Sequence, residues 1–254
     1  MKIKIISSGS KANCTLISCG STNLLIDAGP TSNFIVSELE KEGLSSKDIN
    51  GVIITHTHSD HIKGLKVFIK NSNALVYITE ELVPEIIKIV PAQNIRLIDK
   101  TFKLEEISIE LLKMSHDVPC HGIILKYENK ELVYITDTGY VNKKYIPQIT
   151  NKDFYIIETN YNEKMLMEGP YPYLLKQRIL GDSGHMSNRY AGSLLAKCIG
   201  CNTKYVYLAH ISEHNNDKDI VLQEVKEELR DIEFDLNKLC LTDQYTACEM
   251  VEIW

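Results

Sequence analysis

The 254-residue sequence is poor in turn-formers, with only 13 Gly and 7 Pro, which excludes a fibrous or low-complexity chain. It also lacks any apolar run near the roughly 18 to 20 residues that a membrane span needs, because Lys, Glu or Asp interrupts every hydrophobic stretch. The start, Met1-Lys2-Ile3-Lys4-Ile5-Ile6, places charge inside its apolar segment and has no secretory h-region. Seven cysteines, an odd number scattered at 14, 19, 120, 198, 201, 240 and 248, do not make a disulfide framework. Reduced thiols and a cytoplasmic location are the expectation, with no membrane partner. A surplus of positive charge is missing as well: the net charge of −6 argues against non-specific coating of nucleic acid. It says little about an enzyme whose bound metals could reverse the local field.

What is present, 44% hydrophobic and 24% charged residues, is enough for a sizeable core. Short β-rich runs at Ile3 to Ile6, Thr15 to Cys19 and Thr22 to Asp27 predict an opening antiparallel meander. Ile35, Val36 and Leu39 then recur at helical spacing before Gly43, followed by the buried run Val52-Ile53-Ile54. The rhythm continues with a helix over about Asp60 to Lys70, strands at Leu75 to Ile78 and Ile107 to Leu112, and a hairpin pairing Gly122 to Tyr127 with Glu131 to Thr136. Strands at Phe154 to Ile157 and Lys204 to Leu208 alternate with helices near Tyr171 to Leu180, Asn188 to Ile199 and Asp217 to Arg230. Short strands at Lys238 to Leu241 and Thr246 to Ile253 close the chain. No repeat, linker or compositional break divides it, so residues 1–254 are expected to form one domain of α/β type, two packed sheets covered outside by helices.

The most specific motif is Thr55-His56-Thr57-His58-Ser59-Asp60-His61, directly after the apolar run that ends at Ile54. H-x-H-x-D-H arises by chance in roughly one chain of this composition in several thousand. Imidazoles and a carboxylate at this spacing suit Zn²⁺ or another borderline divalent ion, and a strand end followed by a tight turn aims them into one pocket. Further candidates end other strands: Asp27 in Leu24-Leu25-Ile26-Asp27, His116 in Met114-Ser115-His116-Asp117, Asp137 in Tyr134-Ile135-Thr136-Asp137 and His210 in Tyr207-Leu208-Ala209-His210. His121 and His214 are the alternatives for the positions of His116 and His210.

These motifs resemble the metallo-β-lactamase-fold hydrolases. The resemblance implies an αβ/βα sandwich with His56, His58 and His116 holding one metal ion and Asp60, His61 and His210 a second. Asp137 would bridge the two ions, and Asp27 would orient the motif from behind. Two divalent ions, Zn or Mn, outweigh the two ligand carboxylates and a bridging hydroxide, leaving a positive pocket for an anionic substrate. The fold does not choose the reaction by itself. Gly184-His185-Met186-Ser187-Asn188 opens a helix, and a helix start beside Arg189 is a candidate phosphate site. This segment resembles the tRNA-processing endonuclease RNase Z, which implies that His185 assists the leaving oxygen, that Glu158 holds its ring and that Asp60 relays a proton.

Nearly the whole chain is similar to the YycJ/WalJ family. That similarity rests in order on Ser8-Gly9-Ser10-Lys11-Ala12-Asn13-Cys14, Leu25 to Gly29, the ligand motif, Ser115-His116-Asp117, Thr136 to Gly139, Tyr171-Pro172 through Arg178-Ile179, Gly184 to Asn188 and Leu208 to Ser212. It implies a binuclear phosphodiesterase acting as a 5'-3' DNA exonuclease, with the bridging hydroxide as nucleophile. Ser8, Asn13, Asn160, Ser187, Asn188 and Arg189 are then substrate-contact candidates. Tyr161 departs from the family, which has His there. Lys63, Lys66, Lys70, Lys176 and Arg178 are either phosphate contacts or solvated surface, and Cys198-Ile199-Gly200-Cys201 reads as packing rather than a zinc or redox site. Other hydrolases of the fold (RNase, cyclic phosphodiesterase or thioesterase) and a non-catalytic nucleic-acid or protein-binding scaffold are the alternatives, separated by metal-dependent turnover of competing substrates.

Overall fold

The computed structural model describes residues 1–253. Six strands open the chain: β1 (Lys2–Ser7), β2 (Cys14–Cys19), β3 (Thr22–Ile26), β4 (Gly51–Ile53), β5 (Leu75–Ile78) and β6 (Ile95–Leu97). Seven more follow: β7 (Thr101–Leu104), β8 (Ile107–Lys113), β9 (His121–Tyr127), β10 (Lys130–Ile135), β11 (Phe154–Glu158), β12 (Tyr205–Ala209) and β13 (Leu239–Leu241). The last, β14 (Val251–Glu252), returns to pair with β1, giving two seven-stranded sheets ordered β14-β1-β2-β3-β4-β5-β6 and β13-β12-β11-β10-β9-β8-β7. The helices are α1 (Ser32–Glu40), α2 (Ser59–Ile62), α3 (Leu65–Lys70), α4 (Val83–Ile86), α5 (Ile146–Ile149), α6 (Glu163–Glu168), α7 (Tyr173–Leu180), α8 (Asn188–Cys198) and α9 (Lys218–Glu228). None of the described helices is long and apolar enough to cross a membrane.

Alternation along the strands builds the layers. Ile17, Leu24, Ile26 and Ile53 of the first sheet meet Ile109, Ile123, Leu132, Tyr134 and Ile156 of the second in one buried cluster. Their neighbours point outward: Leu16, Leu25 and Val52 pack under Ile35, Leu39 and Phe68 of α1 and α3. Val133, Tyr155, Ile157 and Leu208 pack under Leu195, Cys198, Val221 and Val225 of α8 and α9. Strands buried on both faces read as nearly continuous apolar runs, which is why they were visible in the sequence. The result is the expected αβ/βα sandwich.

Three expectations are corrected. The helix predicted over Asp60 to Lys70 is two pieces, α2 and α3, broken at Gly64. There the chain passes so close to the β3–α1 loop that a Cβ on Gly64 would lie 1.8 Å from the Pro30 carbonyl oxygen. The strand predicted over Thr246 to Ile253 contracts to Val251–Glu252, because Asp243 instead caps a turn by accepting from the backbone N–H groups of Tyr245 and Thr246. Elements absent from the sequence reading appear at β6, β7, α4, α5 and α6.

Strand direction places the site. β3 and β4 run parallel, as do β10, β11 and β12, and β8 is antiparallel to β9, itself antiparallel to β10. The carboxyl ends of β8, β10, β11 and β12 therefore lie at one edge of the second sheet, the usual position for a ligand site in sheets of this kind.

Candidate metal centre

Most titratable residues of the site sit at or just past a strand end, with Asp60 and His61 in the short helix that follows β4. Asp27 and His210 directly follow the ends of β3 and β12, and Asp137 lies two residues past the end of β10, with φ of 61°, 54° and 57° respectively. Left-handed backbone is costly for residues with a Cβ and concentrates at functional sites. His58 precedes α2, whose first turn carries Asp60 and His61. The loop between Ile26 and α1 packs directly on this turn: Ala28 N–H donates to His61 O (2.8 Å) and Asn13 N–H to Asp60 O (2.8 Å). Gly29 is obligatory here, since a Cβ would fall 1.7 Å from the Asp60 carbonyl oxygen.

Two groups of donors result, with the ligand atoms of each within 4.8 Å of one another: His56, His58 and His116, and Asp60, His61, Asp137 and His210. The His56 ring centroid lies 4.8 Å from His58, 5.2 Å from His116 and 4.0 Å from His61, so the groups adjoin. His56 Nε2 and Asp137 Oδ2 are buried without a hydrogen-bond partner.

The remaining nitrogen of every imidazole is held by the protein. His61 Nδ1 donates to Asp27 Oδ2 (2.7 Å), and Asp27 also accepts from Thr55 N–H and Oγ1–H (both 2.8 Å). His56 Nδ1 lies 3.1 Å from Thr55 Oγ1, His116 Nδ1 donates to Gly184 O (3.2 Å), and His210 Nδ1 donates to Glu158 Oε1 (3.0 Å). His58 Nε2 lies 3.2 Å from Asp117 Oδ1, and Asp117 is paired on its other oxygen with Arg178 of α7. Such outer partners fix tautomers so that the inward nitrogen keeps its lone pair for a cation. The donor set, the outer partners and the two orphaned atoms together fit divalent ions with mixed His and carboxylate ligation.

The electrostatics of the metal-free chain agree. Burial, with His61 nearby, holds His56 well below the usual imidazole range, and burial lowers His116. Burial also penalises charge on His61, yet Asp137, Asp27 and Asp60 outweigh it and push His61 well up. For His210 burial is outweighed by Asp137 and by the bonds to Asp60 and Glu158, which raise it to about 10. Asp60 and Asp137 are held low despite their burial, Asp60 chiefly by His61 and Asp137 by His210, His61 and His56. Burial raises Asp27 against its three donors.

Glu158 and His185 form a second layer. Fully buried Glu158 accepts from His185 Nδ1 (2.7 Å), His210 Nδ1 (3.0 Å), Thr138 N–H (3.1 Å) and Met186 N–H (3.2 Å). Burial opposes its charge, but His185 and these bonds bring it down to about 2. With its lone pairs taken, Glu158 is an orienting group rather than a ligand, although it clusters with Asp137, His185 and His210. Burial lowers and Glu158 raises His185, with the net shift upward.

The substrate candidates separate. A cleft of about 220 Å³ is lined by His58, Asp60, His116, Asp137, His185 and His210, and further by Ser10, Asn160, Tyr171, Leu175, Arg178, Ile179, Ser183, Gly184, Ser212 and Asn215. Asn160 is on this wall, whereas Ser8, Asn13, Ser187, Asn188 and Arg189 are not. Ser8 Oγ accepts from His210 N–H (2.9 Å), and Asn13 Nδ2 donates to Asp60 Oδ2 (3.1 Å), so both support the cluster from outside. Ser187 caps α8 by accepting from Tyr190 N–H (3.2 Å), and buried Asn188 bonds to Asn216 and Glu224. Arg189 is turned to α9, 3.0 Å from Glu224 and 3.6 Å from Glu227. The start of α8 is therefore closed by its own cap and by α9 rather than open to phosphate. Lys176 donates to Met167 O, and Lys66 and Lys70 are exposed on the surface. His121 and His214 join neither donor group among the described residues. Tyr161 is buried against Leu166 and Ile179 beneath Tyr171 and Leu175. Cys198 is core and Cys201 is exposed. Asp117, Ser212 and Asn215 were given no role from sequence. Asp117 stands beside His116 and Ser212 ends the Leu208 to Ser212 motif, but nothing local marks Asn215.

The family model described as Beta-lactamase superfamily domain matches residues 22–211. Exodeoxyribonuclease WalJ of Streptococcus pneumoniae serotype 2 is 33% identical over 264 aligned positions, covering 99% of this chain and 98% of the relative. Exodeoxyribonuclease YycJ of Bacillus anthracis is 32% identical, covering 91% of this chain and 90% of its own length. Among solved structures, the metallo-β-lactamase-fold protein YhfI of Bacillus subtilis superposes with a TM-score of 0.76 at 19% identity over 97% of this chain and 98% of its own. On these matches the chain belongs to the β-lactamase superfamily and, within it, to the WalJ/YycJ family.

Proposed function

We propose that this chain is a metal-dependent phosphodiesterase that degrades DNA from the 5' end. The observation that carries the reading is the pair of adjoining donor groups, His56/His58/His116 and Asp60/His61/Asp137/His210, with Asp137 buried between surrounding imidazoles and the Glu158–His185 pair beside them. The names of the WalJ and YycJ relatives, both exodeoxyribonucleases, support DNA as the substrate.

His56, His58 and His116 would hold one divalent ion, Zn or Mn, and Asp60, His61 and His210 a second, with Asp137 shared. Such a pair, when bound, supplies Lewis acidity toward a phosphoryl group and lowers the pKa of water toward 7. The chain's own residues do the rest. Asp27 and Glu158 keep His61 and His210 in the tautomer that faces the cluster. Asp60 lies on the cleft wall, where it can accept a proton from the attacking water. His185 has its Nδ1 engaged by Glu158, which leaves Nε2 as the proton donor for the departing oxygen. Glu158 opposes the effect of burial on this ring and raises its affinity for the proton.

The test uses metal-reconstituted protein on single- and double-stranded DNA and RNA, labelled separately at each end. Progressive shortening of DNA from the 5' end, lost in Asp137→Ala, is the expected result. Cleavage of RNA alone, or of no polynucleotide by protein with both ions bound, overturns it.

A further inference from the structure

One lobe of the cleft takes no part in the chemistry described above. Its wall is built by Asn160, Tyr171, Ser212 and Asn215. Asn215 is only 1% exposed, yet its Oδ1 is buried without a hydrogen-bond partner. The backbone around it is fixed, with Asn215 N–H donating to Ser212 Oγ (3.2 Å) and Asn215 O accepting from Asn162 N–H (2.9 Å). The end of α6 packs behind it, where a Cβ on Gly169 would lie 3.2 Å from Asn215 Oδ1. Leaving a buried amide oxygen unpaired costs roughly 1–3 kcal/mol, and the Asn215 side chain that bears this cost also lines the cleft.

The chemistry of the lobe selects the ligand. Arg178 is the only Lys or Arg among the described residues lining the cleft, and it is paired with Asp117. A phosphate bound in the lobe itself would have no counter-charge. A neutral amide, a hydroxyl and a phenol ring suit a nucleoside instead: Asn offers both donor and acceptor to a base edge, and tyrosine offers a stacking face. Tyr171 is backed by the His214 ring, with centroids 6.0 Å apart in an edge-on arrangement. The lobe adjoins the donor cluster, since Asn160 Nδ2 donates to His210 O (2.9 Å). A 5'-terminal nucleoside seated there would present its 3'-linked phosphate to that cluster.

We infer that Asn215, Ser212 and Tyr171 form the subsite for the nucleoside of the terminal nucleotide, an assignment that rests on the phosphodiesterase reading above. The subsite sets the register of cleavage by seating that nucleoside beside the donor cluster.

The test measures binding of deoxyadenosine 3'-monophosphate and of inorganic phosphate to the metal-loaded full chain by calorimetry, in wild type, Asn215→Leu and Tyr171→Ala. Wild type is expected to bind the nucleotide at least tenfold tighter than phosphate. Asn215→Leu is expected to cut that ratio at least fivefold, and Tyr171→Ala, at a half-buried position, carries the same test if Asn215→Leu fails to fold. An unchanged ratio in a folded variant overturns the subsite. In parallel, kcat/KM for thymidine 3'-(p-nitrophenyl phosphate) is compared with that for bis(p-nitrophenyl) phosphate, and the preference for the nucleoside ester is expected to fall by a similar factor. Hydrolysis of both esters with no preference dependent on either side chain overturns the subsite and leaves the phosphodiesterase reading standing. Nucleotide binding that depends on Asn215 without hydrolysis of either ester supports the subsite and overturns that reading.

Discussion

Asp117 lies 3.2 Å from His58 Nε2 and is gripped from the other side by Arg178 of α7, so a residue next to a candidate ligand in sequence also orients another ligand 59 positions away. Outer partners of metal-binding imidazoles are worth about 10- to 100-fold in metal affinity. Asp117→Asn is accordingly expected to weaken one of the two ions by about that factor, read by chelator competition, and equal affinity at both positions would remove Asp117 from this role. His185 is tested by the leaving group. His185→Ala is expected to lower kcat on DNA by roughly 10²–10⁴-fold, the usual worth of a positioned acid. The loss should be much smaller on p-nitrophenyl esters, whose leaving oxygen needs no proton, with the ion content unchanged. Equal losses on both substrates would mean that His185 does not donate the proton. The candidate ligands were legible in the sequence because they are titratable types at strand ends, four of them inside one seven-residue motif. Ser212 and Asn215 were not, because neutral residues in a loop acquire meaning only from the cleft they wall.

Helix α8 shows how an element can mislead. A helix start next to an arginine reads as an anion site, but here the Tyr190 N–H donates to Ser187 Oγ and the Asn188 N–H to Tyr161 O, and Arg189 is spent on Glu224 and Glu227. Ser187→Ala should cost about 1 kcal/mol of stability, as loss of an N-cap does, measured as a drop in the urea midpoint. DNA affinity of Arg189→Ala should keep the wild-type salt dependence, and a shallower slope would return Arg189 to the substrate. The long buried strands were readable because both of their faces are apolar. β6 and β7 were not, being edge strands of three and four residues in which only Leu104 is fully buried. The break between α2 and α3 was also hidden: Lys63, Lys66 and Lys70 look like one helical face, and only the close approach of Gly64 to Pro30 and Ala28 interrupts it.

Across the whole molecule, a chain of net charge −6 gathers five imidazoles and two candidate ligand carboxylates at one edge of the sandwich. His61 and His210 are raised in the metal-free state, His210 to about 10, so their affinity for protons competes with that for a metal ion. Metal uptake is therefore expected to release protons, and affinity to fall as pH is lowered. Calorimetry of metal binding in two buffers of different ionisation enthalpy measures the release, and none at pH 7.5 would contradict the assignment of these two residues as ligands. The proposed phosphodiesterase chemistry needs two ions shared through Asp137. The most direct measurement is metal content per chain alongside DNA turnover, in wild type and Asp137→Ala. Two ions and turnover in the wild type, with loss of bound metal and of turnover together in the variant, is the expected result. Full turnover in chelator-treated wild type, or in Asp137→Ala, would contradict it.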